Sequence, residues 1–257
     1  MSRRLLLSLL TFFLFCETAQ AEQEIISFVS CPIYRDTNAG RKSGCWLADN
    51  PASGTRYDVS NSPTKPDWNK AILVEGKVSH SEDVCGGVVL GPVRVSVLDQ
   101  TCPAHSIPAE NYPGRKFVLP QRNVRPLSVA RETPAEPYHS TSFFMFFDFN
   151  KDFVIYQFSD YFLDEAITWI RAAKPKHITV TGYAATMPVE VSGFTLQEDP
   201  ELAQRRAQKV AEALSRLGVE PEQISVRWRD DPEPIEALGL DGLASTSLRR
   251  VEIRAEL

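Results

Sequence analysis

Four cysteines, Cys31, Cys45, Cys85 and Cys102, are the residues whose type and spacing point most directly to chemistry. All lie in the N-terminal half of the chain. Two chemistries compete for them. One is a pair of disulfides, which an even cysteine count in an exported chain favours. The other is a metal site, because His105 lies three residues after Cys102 and His80 five residues before Cys85. Thiolate zinc sites usually bring their cysteines in closely spaced C-x-x-C pairs, and no such pair occurs here. Disulfides are therefore expected and no metal is assigned. Four cysteines allow three pairings, and sequence proximity favours Cys31–Cys45 with Cys85–Cys102.

Other reactive patterns fall short. Asp148-Phe149-Asn150-Lys151-Asp152 imitates the start of a calcium loop, but its sixth position is Phe153 rather than Gly and its twelfth is Ser159 rather than Glu. Cys85-Gly86-Gly87 lacks the Gly-Lys-Ser/Thr of a phosphate loop. The four histidines are scattered, and no Gly-x-Ser-x-Gly or paired-His motif appears. Trp46, Trp68, Trp169 and Trp228 read as core or core-edge residues. No catalytic motif is found, so the chain is expected not to be an enzyme, and no cofactor is implied.

The elements that must position these residues follow from the hydropathy pattern. Arg3 and Arg4 precede an apolar run from Leu5 to Phe15, and Ala19-Gln20-Ala21 is a small-x-small cleavage signal. That is a secretory leader at residues 1–21, and the run is too short to span a bilayer. Cys16 follows Phe15, where lipid attachment needs a small residue. Removing Arg3, Arg4 and Glu17 takes the formal charge from −5 to −6. A mildly acidic chain without a basic block has no footprint for nucleic acid. No later run is apolar enough for a membrane helix.

Residues 22–125 read as a small all-β domain braced by the disulfides. Strands are expected at Gly44–Ala48, Arg56–Val59, Ala71–Val78, Val93–Leu98 and Lys116–Leu119, separated by Pro and Gly turns. Residues 126–141 hold Pro126, Pro134 and Pro137 among small polar residues, the composition of an extended spacer. Residues 142–257 then alternate strand and helix. Phe143–Phe149 is a dense apolar strand and Ser159–Ala173 a helix with Phe158, Phe162, Ala166 and Ile170 on one stripe. His177–Gly182 is the next strand. Asp199 as N-cap and Pro200 as first residue open a second helix, closed at Gly218. Gln223–Trp228 and Arg249–Ala255 are the last strands. The order β-α-β-α-β plus a strand implies an α/β sandwich with helices on one face.

Within this half, Leu202-Ala203-Gln204-Arg205-Arg206-Ala207 followed by Arg249-Arg250-Val251-Glu252-Ile253, with Ile178–Gly182 upstream, resembles the OmpA-like C-terminal domain family over about residues 142–257. The resemblance implies a periplasmic, non-catalytic protein associated with the cell wall or outer membrane. In that family a strand ends in Gly-His-Thr-Asp and a helix carries Asn-x-x-Leu-Ser-x-x-Arg-Ala. The Asp and the helix Arg grip the ammonium and carboxylate of diaminopimelate in a peptidoglycan stem peptide. A carboxylate and a guanidinium in one cleft suit such a zwitterion. Carried onto this chain, the resemblance implies Arg206, Tyr183, Asp199 and Arg249 as ligand contacts. Asp199 replaces the family Asn, and Leu248 the Asn before the arginine pair. The Gly-His-Thr-Asp stretch reads Gly182-Tyr183-Ala184-Ala185, so Ala185 stands where the ligand acid belongs. Glu190, Glu198 and Asp199 are the acids of the intervening loop that can stand in for it.

Two classes of function remain open on these grounds. The first is an envelope protein whose OmpA-like domain contacts peptidoglycan or, as a degenerate domain, another envelope protein. The second is an exported enzyme or metal-binding protein whose site, in the N-terminal domain, uses Cys85, Cys102, His80 and His105. The sequence names no partner for the β domain and sets no oligomeric state.

Overall fold

The computed structural model describes residues 25–38, 44–115, 132–153, 158–230, 232–235 and 243–257, with side chains of the first helix from residue 162 onward. The leader and its cleavage site, Cys16, the strand expected at Lys116–Leu119, the side chain of Phe158 and residues 126–131 of the Pro-rich segment lie outside the described residues.

Alternating apolar residues in the N-terminal half build β1 (Ile25–Ser30), β2 (Pro32–Arg35), β3 (Cys45–Asp49), β4 (Arg56–Asp58), β5 (Lys70–Val78), β6 (Val88–Thr101) and β7 (His105–Ile107). They form one sheet in the order β1-β5-β6-β4-β3-β2-β7. Phe28, Ile72, Val74, Leu90, Val93 and Val95 fill a core on one face of β1, β5 and β6. The opposite face of the same strands is also covered, by Phe149 and Leu196 of the C-terminal half against Val29, Ala71, Leu73 and Leu98. Burial on both faces explains why β5 reads Ala71-Ile72-Leu73-Val74 without polar alternation.

Two disulfides are present, as the even count implies, but the pairing favoured by proximity is wrong. The bonds are Cys31–Cys102 and Cys45–Cys85. Topology decides this. β1 and β6 flank β5 as antiparallel neighbours, with Ser30 opposite Ile72 and Thr101 opposite Lys70. Cys31 and Cys102 therefore emerge together at one end of β5. Likewise β4 lies between β3 and the start of β6, which brings Cys45 to Cys85.

The C-terminal half contains β8 (Thr141–Phe146), α1 (Phe158–Ala173), β9 (His177–Tyr183), β10 (Val189–Val191), β11 (Phe194–Leu196), α2 (Glu201–Arg216), β12 (Ile224–Arg229), the short α3 (Ala244–Ser247) and β13 (Arg250–Glu256). Its four-stranded sheet runs β12-β9-β13-β8, with β12 parallel to β9 and the other pairs antiparallel. Met145, Ile178, Val180, Val251 and Ile253 of the sheet pack against Leu163, Ile167, Ile170, Ala207, Val210 and Leu214 of α1 and α2. This is the expected sandwich with helices on one face. The β10–β11 hairpin was not foreseen. Its turn, Ser192-Gly193, takes positive φ at both residues, the geometry of a tight two-residue hairpin.

The ends of α2 follow local rules. Glu201 is its first assigned residue, yet the Asp199 carboxylate accepts the Glu201 N–H at 2.9 Å and so caps the helix as expected. Gly218 has φ +95° and ends it, with the Val219 N–H returning to the Leu214 carbonyl. Among the described residues no helix is long and apolar enough to cross a membrane.

Candidate functional site

The site begins with a close approach of backbone to backbone. A Cβ on Gly182 would lie 1.9 Å from the Ala203 carbonyl oxygen, so only glycine lets α2 sit this tightly on the end of β9. That approach brings Arg206, one turn further along α2, beneath the loops at the carboxyl end of the sheet. The segment Phe147–Asp152, which follows β8, closes over it.

Arg206 is fully buried and each of its five N–H donors has an acceptor. Nε donates to the Lys151 carbonyl at 2.8 Å. One terminal nitrogen donates to the Tyr183 carbonyl and to Glu198 Oε2, both at 2.9 Å. The other donates to Glu198 Oε1 at 2.6 Å and to the Asp148 carbonyl at 3.4 Å. The guanidinium also lies 5.1 Å from the centroid of the Phe147 ring. Five donors is the whole capacity of an arginine, so none is left over.

Glu198 is saturated in the same way. Beyond the fork to Arg206, its carboxylate accepts the Ala185 N–H at 2.8 Å and the Asn150 N–H at 2.7 Å. Burial pushes this carboxyl up, but Arg206, through hydrogen bonding and charge, outweighs burial and holds it below the usual carboxylate range. Ala185 contributes only its backbone, accepting the Glu198 N–H as well.

A second buried pair joins the two halves of the chain. Arg249 reaches into the N-terminal sheet and forms a two-pronged salt bridge with Glu75 on β5, the longer prong 3.3 Å. Both side chains are under 5% exposed. Burial pulls the Arg249 guanidinium down and Glu75 more than restores it, so its net shift is upward. A third contact sets Arg94 of β6 against Asp148 at 3.4 Å, and Thr64 donates to the same carboxylate. Backbone contacts complete the seam: the Phe149 N–H donates to Ser96 Oγ and the Val29 N–H to Ser192 Oγ in the hairpin turn.

The residues singled out from sequence therefore have distinct fates. Arg206 and Tyr183 meet, through the Tyr183 carbonyl. The Tyr183 ring turns away beneath Arg250, whose guanidinium sits 4.1 Å from its centroid. Burial, then the nearby Glu252 charge, pushes the Tyr183 hydroxyl up. Asp199 caps α2 and turns its other oxygen toward Arg205 at 3.4 Å. Arg249 is bonded to Glu75, while its charge also reaches Glu198, the partner of Arg206. Glu190 accepts from Thr195 within the hairpin. Asp148 and Asp152, the acids of the rejected calcium loop, hold Arg94 and the pair Arg205 and Lys209. Sequence reasoning did not find Glu75 or Arg94. Their signal was available: each is a charge set among apolar residues in the buried middle of its strand, which demands an opposite charge from elsewhere.

The metal reading meets a chemical obstacle. Cys45, Cys85 and Asp58 cluster within 4.8 Å of one another. Both sulfurs are in the disulfide and Asp58 binds Arg115 at 2.9 Å, so the cluster offers no thiolate. Cys102 is bonded to Cys31, and His80 and His105 are exposed.

This half is thus a four-stranded sheet with two helices on one face and a buried arginine–glutamate pair under its carboxyl-end loops. Residues 146–241 match the model of the OmpA family, and this stretch is an OmpA-like domain. The chain is similar to the periplasmic domain of Helicobacter pylori MotB at 24% identity, over 46% of this chain and 82% of that one, with a TM-score of 0.36. It is also similar to the OmpA-like domain of FopA1 from Francisella tularensis at 20% identity, over 45% and 71%, with a TM-score of 0.35. A third similarity is to the peptidoglycan-associated lipoprotein from Burkholderia pseudomallei, at 26% identity over 43% and 87%, with a TM-score of 0.33. No curated protein matches the chain.

Proposed function

We propose that this is a non-catalytic protein of the cell envelope, exported to the periplasm, whose OmpA-like domain acts as a protein-contact module docked on its own β sheet. Arg206 carries the reading. A stem-peptide carboxylate has to displace Glu198 from a buried two-pronged pair to reach it. Such a ligand trades one carboxylate for another at Arg206, while the displaced Glu198 also gives up the Ala185 and Asn150 N–H groups. The ligand ammonium finds Ala185 where the family places Asp. The exchange is unfavourable on both counts. Export is supported by the leader pattern of residues 1–21 and by two disulfides in one small sheet.

A second reading is association with peptidoglycan, and the match of residues 146–241 to the OmpA family favours it. Co-sedimentation of the mature chain with purified sacculi separates the two. The contact-module reading expects the chain to stay in the supernatant. Pelleting that is lost in a folded Arg206→Gln variant establishes the cell-wall reading instead. Mass spectrometry of the native protein tests export: the expected N-terminus is Glu22, and a retained Met1 or an acylated Cys16 contradicts it.

A further inference from the structure

We propose that the outer edge of β12 is a docking site for an extended partner segment that alternates apolar and acidic side chains. This surface lies away from the Arg206 pair and stands independently of the reading above.

β12 ends its sheet. Among the described residues it pairs on one side only, with β9, in an unbroken register from Ile224 opposite Ile178 to Arg229 opposite Tyr183. In a parallel pair, alternate residues direct their N–H and C=O groups to opposite sides. One set bonds β9 and the other faces outward, a template for an added strand. Protected edges commonly carry a proline, a bulge or charge. This strand has neither proline nor bulge. Its charges reject some partners and select others.

The two faces of the edge differ in chemistry. Val226 stands in register with Val180, and Trp228 with Gly182, on the helix side of the sheet. Ile224 and Val226 form the strand side of a groove whose helix side is Ala211 with the polar Gln208, Glu212, Ser215 and Arg216 of α2. Trp228 continues that row and is 51% exposed. Arg227 and Arg229 point to the opposite face, both exposed, and neither makes an ion pair or hydrogen bond among the described residues. A strand laid along this edge sends successive side chains alternately to the apolar row Ile224, Val226 and Trp228 and to the arginines. The occupant that satisfies both is apolar on one face and acidic on the other. A second copy of this chain does not: its β12 supplies no acid and gathers its arginines on the face that already carries them, where like charges across a ladder are destabilising.

The test uses the full chain and blocked six-residue peptides, one alternating Glu with Val and one alternating Lys with Val. Backbone amide shifts and Trp fluorescence report binding. The expected result is saturable binding of the Glu peptide, with shifts centred on residues 224–229. The Lys peptide should not bind. Arg227→Glu with Arg229→Glu, checked for an unchanged melting temperature, should weaken the Glu peptide about tenfold and admit the Lys peptide, the effect of two exposed ion pairs. Equal binding of both peptides, shifts that avoid β12, indifference to the double substitution, or no binding at millimolar peptide each overturns the proposal. So does self-association of the free chain that buries residues 224–229.

Discussion

The loop end of the C-terminal sheet and the outer edge of β12 carry the same residue type in opposite states. At the loop end Arg206, Arg249 and Arg94 are each under 5% exposed and each faces a buried carboxylate. At the edge Arg227 and Arg229 are exposed and unpaired among the described residues. A guanidinium recognises a carboxylate by its planar fork, but only where the fork is free. At the loop end the chain supplies the carboxylates itself, two from within the OmpA-like half and one from the N-terminal sheet. An incoming ligand there competes with a formed pair. At the edge it competes with water. An arginine that a family resemblance assigns to a ligand is thus not equivalent to an available arginine, and the difference lies in the residues that already hold it.

The sharpest way to break this comparison is to remove one partner of a buried pair. Glu198→Ala should destabilise the chain by about 3–5 kcal/mol in urea unfolding, because Arg206 is left charged and buried. Glu75→Ala should cost a similar amount through Arg249, and should also loosen the two halves so that they unfold in separate transitions. Replacing both members, Arg206→Met with Glu198→Leu, should recover most of the loss, since a buried ion pair is often no more stabilising than apolar residues of similar size. If Glu198→Ala costs under 1 kcal/mol, the pair is open to water and the loop end is accessible after all.

Next in size are the disulfides. Removing either should cost about 2–5 kcal/mol in a sheet of this size. Cys31–Cys102 closes a separation of 71 residues and Cys45–Cys85 one of 40. On chain-entropy grounds the longer loop should matter more by about 0.5 kcal/mol. Melting temperatures of the paired Cys→Ala variants decide. Unchanged melting temperatures in both variants remove the bracing argument.

A pH titration gives a smaller and more gradual effect. The folded-state carboxyl of Glu198 lies below its ordinary value of 4.5. Its contribution is therefore fully present above that value and is lost as pH falls through the lower, folded value. The melting temperature should fall below about pH 4.5, and Glu198→Gln should flatten that part of the curve. A Gln variant with the same acid slope as wild type assigns the loss to other carboxylates, of which Asp49 and Asp152 are also held low by hydrogen-bonded basic partners.

What was legible in the sequence was what short-range rules govern. The period of α1 placed it within a residue of Phe158–Ala173, and Asp199, Pro200 and Gly218 bounded α2 through cap chemistry. The strands β1, β2, β7, β10 and β11 escaped notice, four of them because three or four residues carry too little pattern and are held by their neighbours. The disulfide pairing needed the order of strands around β5. Glu198 was visible as one acid among three in a loop. Its role depends on the hairpin folding back so that Ala185 and Asn150 can both donate to it. Glu75 and Arg249 are 174 residues apart, and no local reading joins them.

The smallest expected effect falls on the edge itself. Arg227→Ala and Arg229→Ala should change folding stability by no more than about 0.5 kcal/mol, because exposed side chains without partners contribute little to the folded state. Arg205 supplies the intermediate case on α2, one residue before Arg206. It faces Asp152, Asp199 and Glu201 at 3.2–3.4 Å while 39% exposed. Solvent screens such a network, so Arg205→Ala should cost about 0–1 kcal/mol. The series Arg227, Arg205, Arg206 thus ranks one residue type by burial alone, from near zero to several kcal/mol. Urea midpoints of the three alanine variants, measured with unchanged m-values, give the ranking directly. Should Arg227→Ala or Arg229→Ala prove as costly as Arg206→Ala, the edge is already engaged within the chain, and the contrast between a closed loop end and an open strand fails.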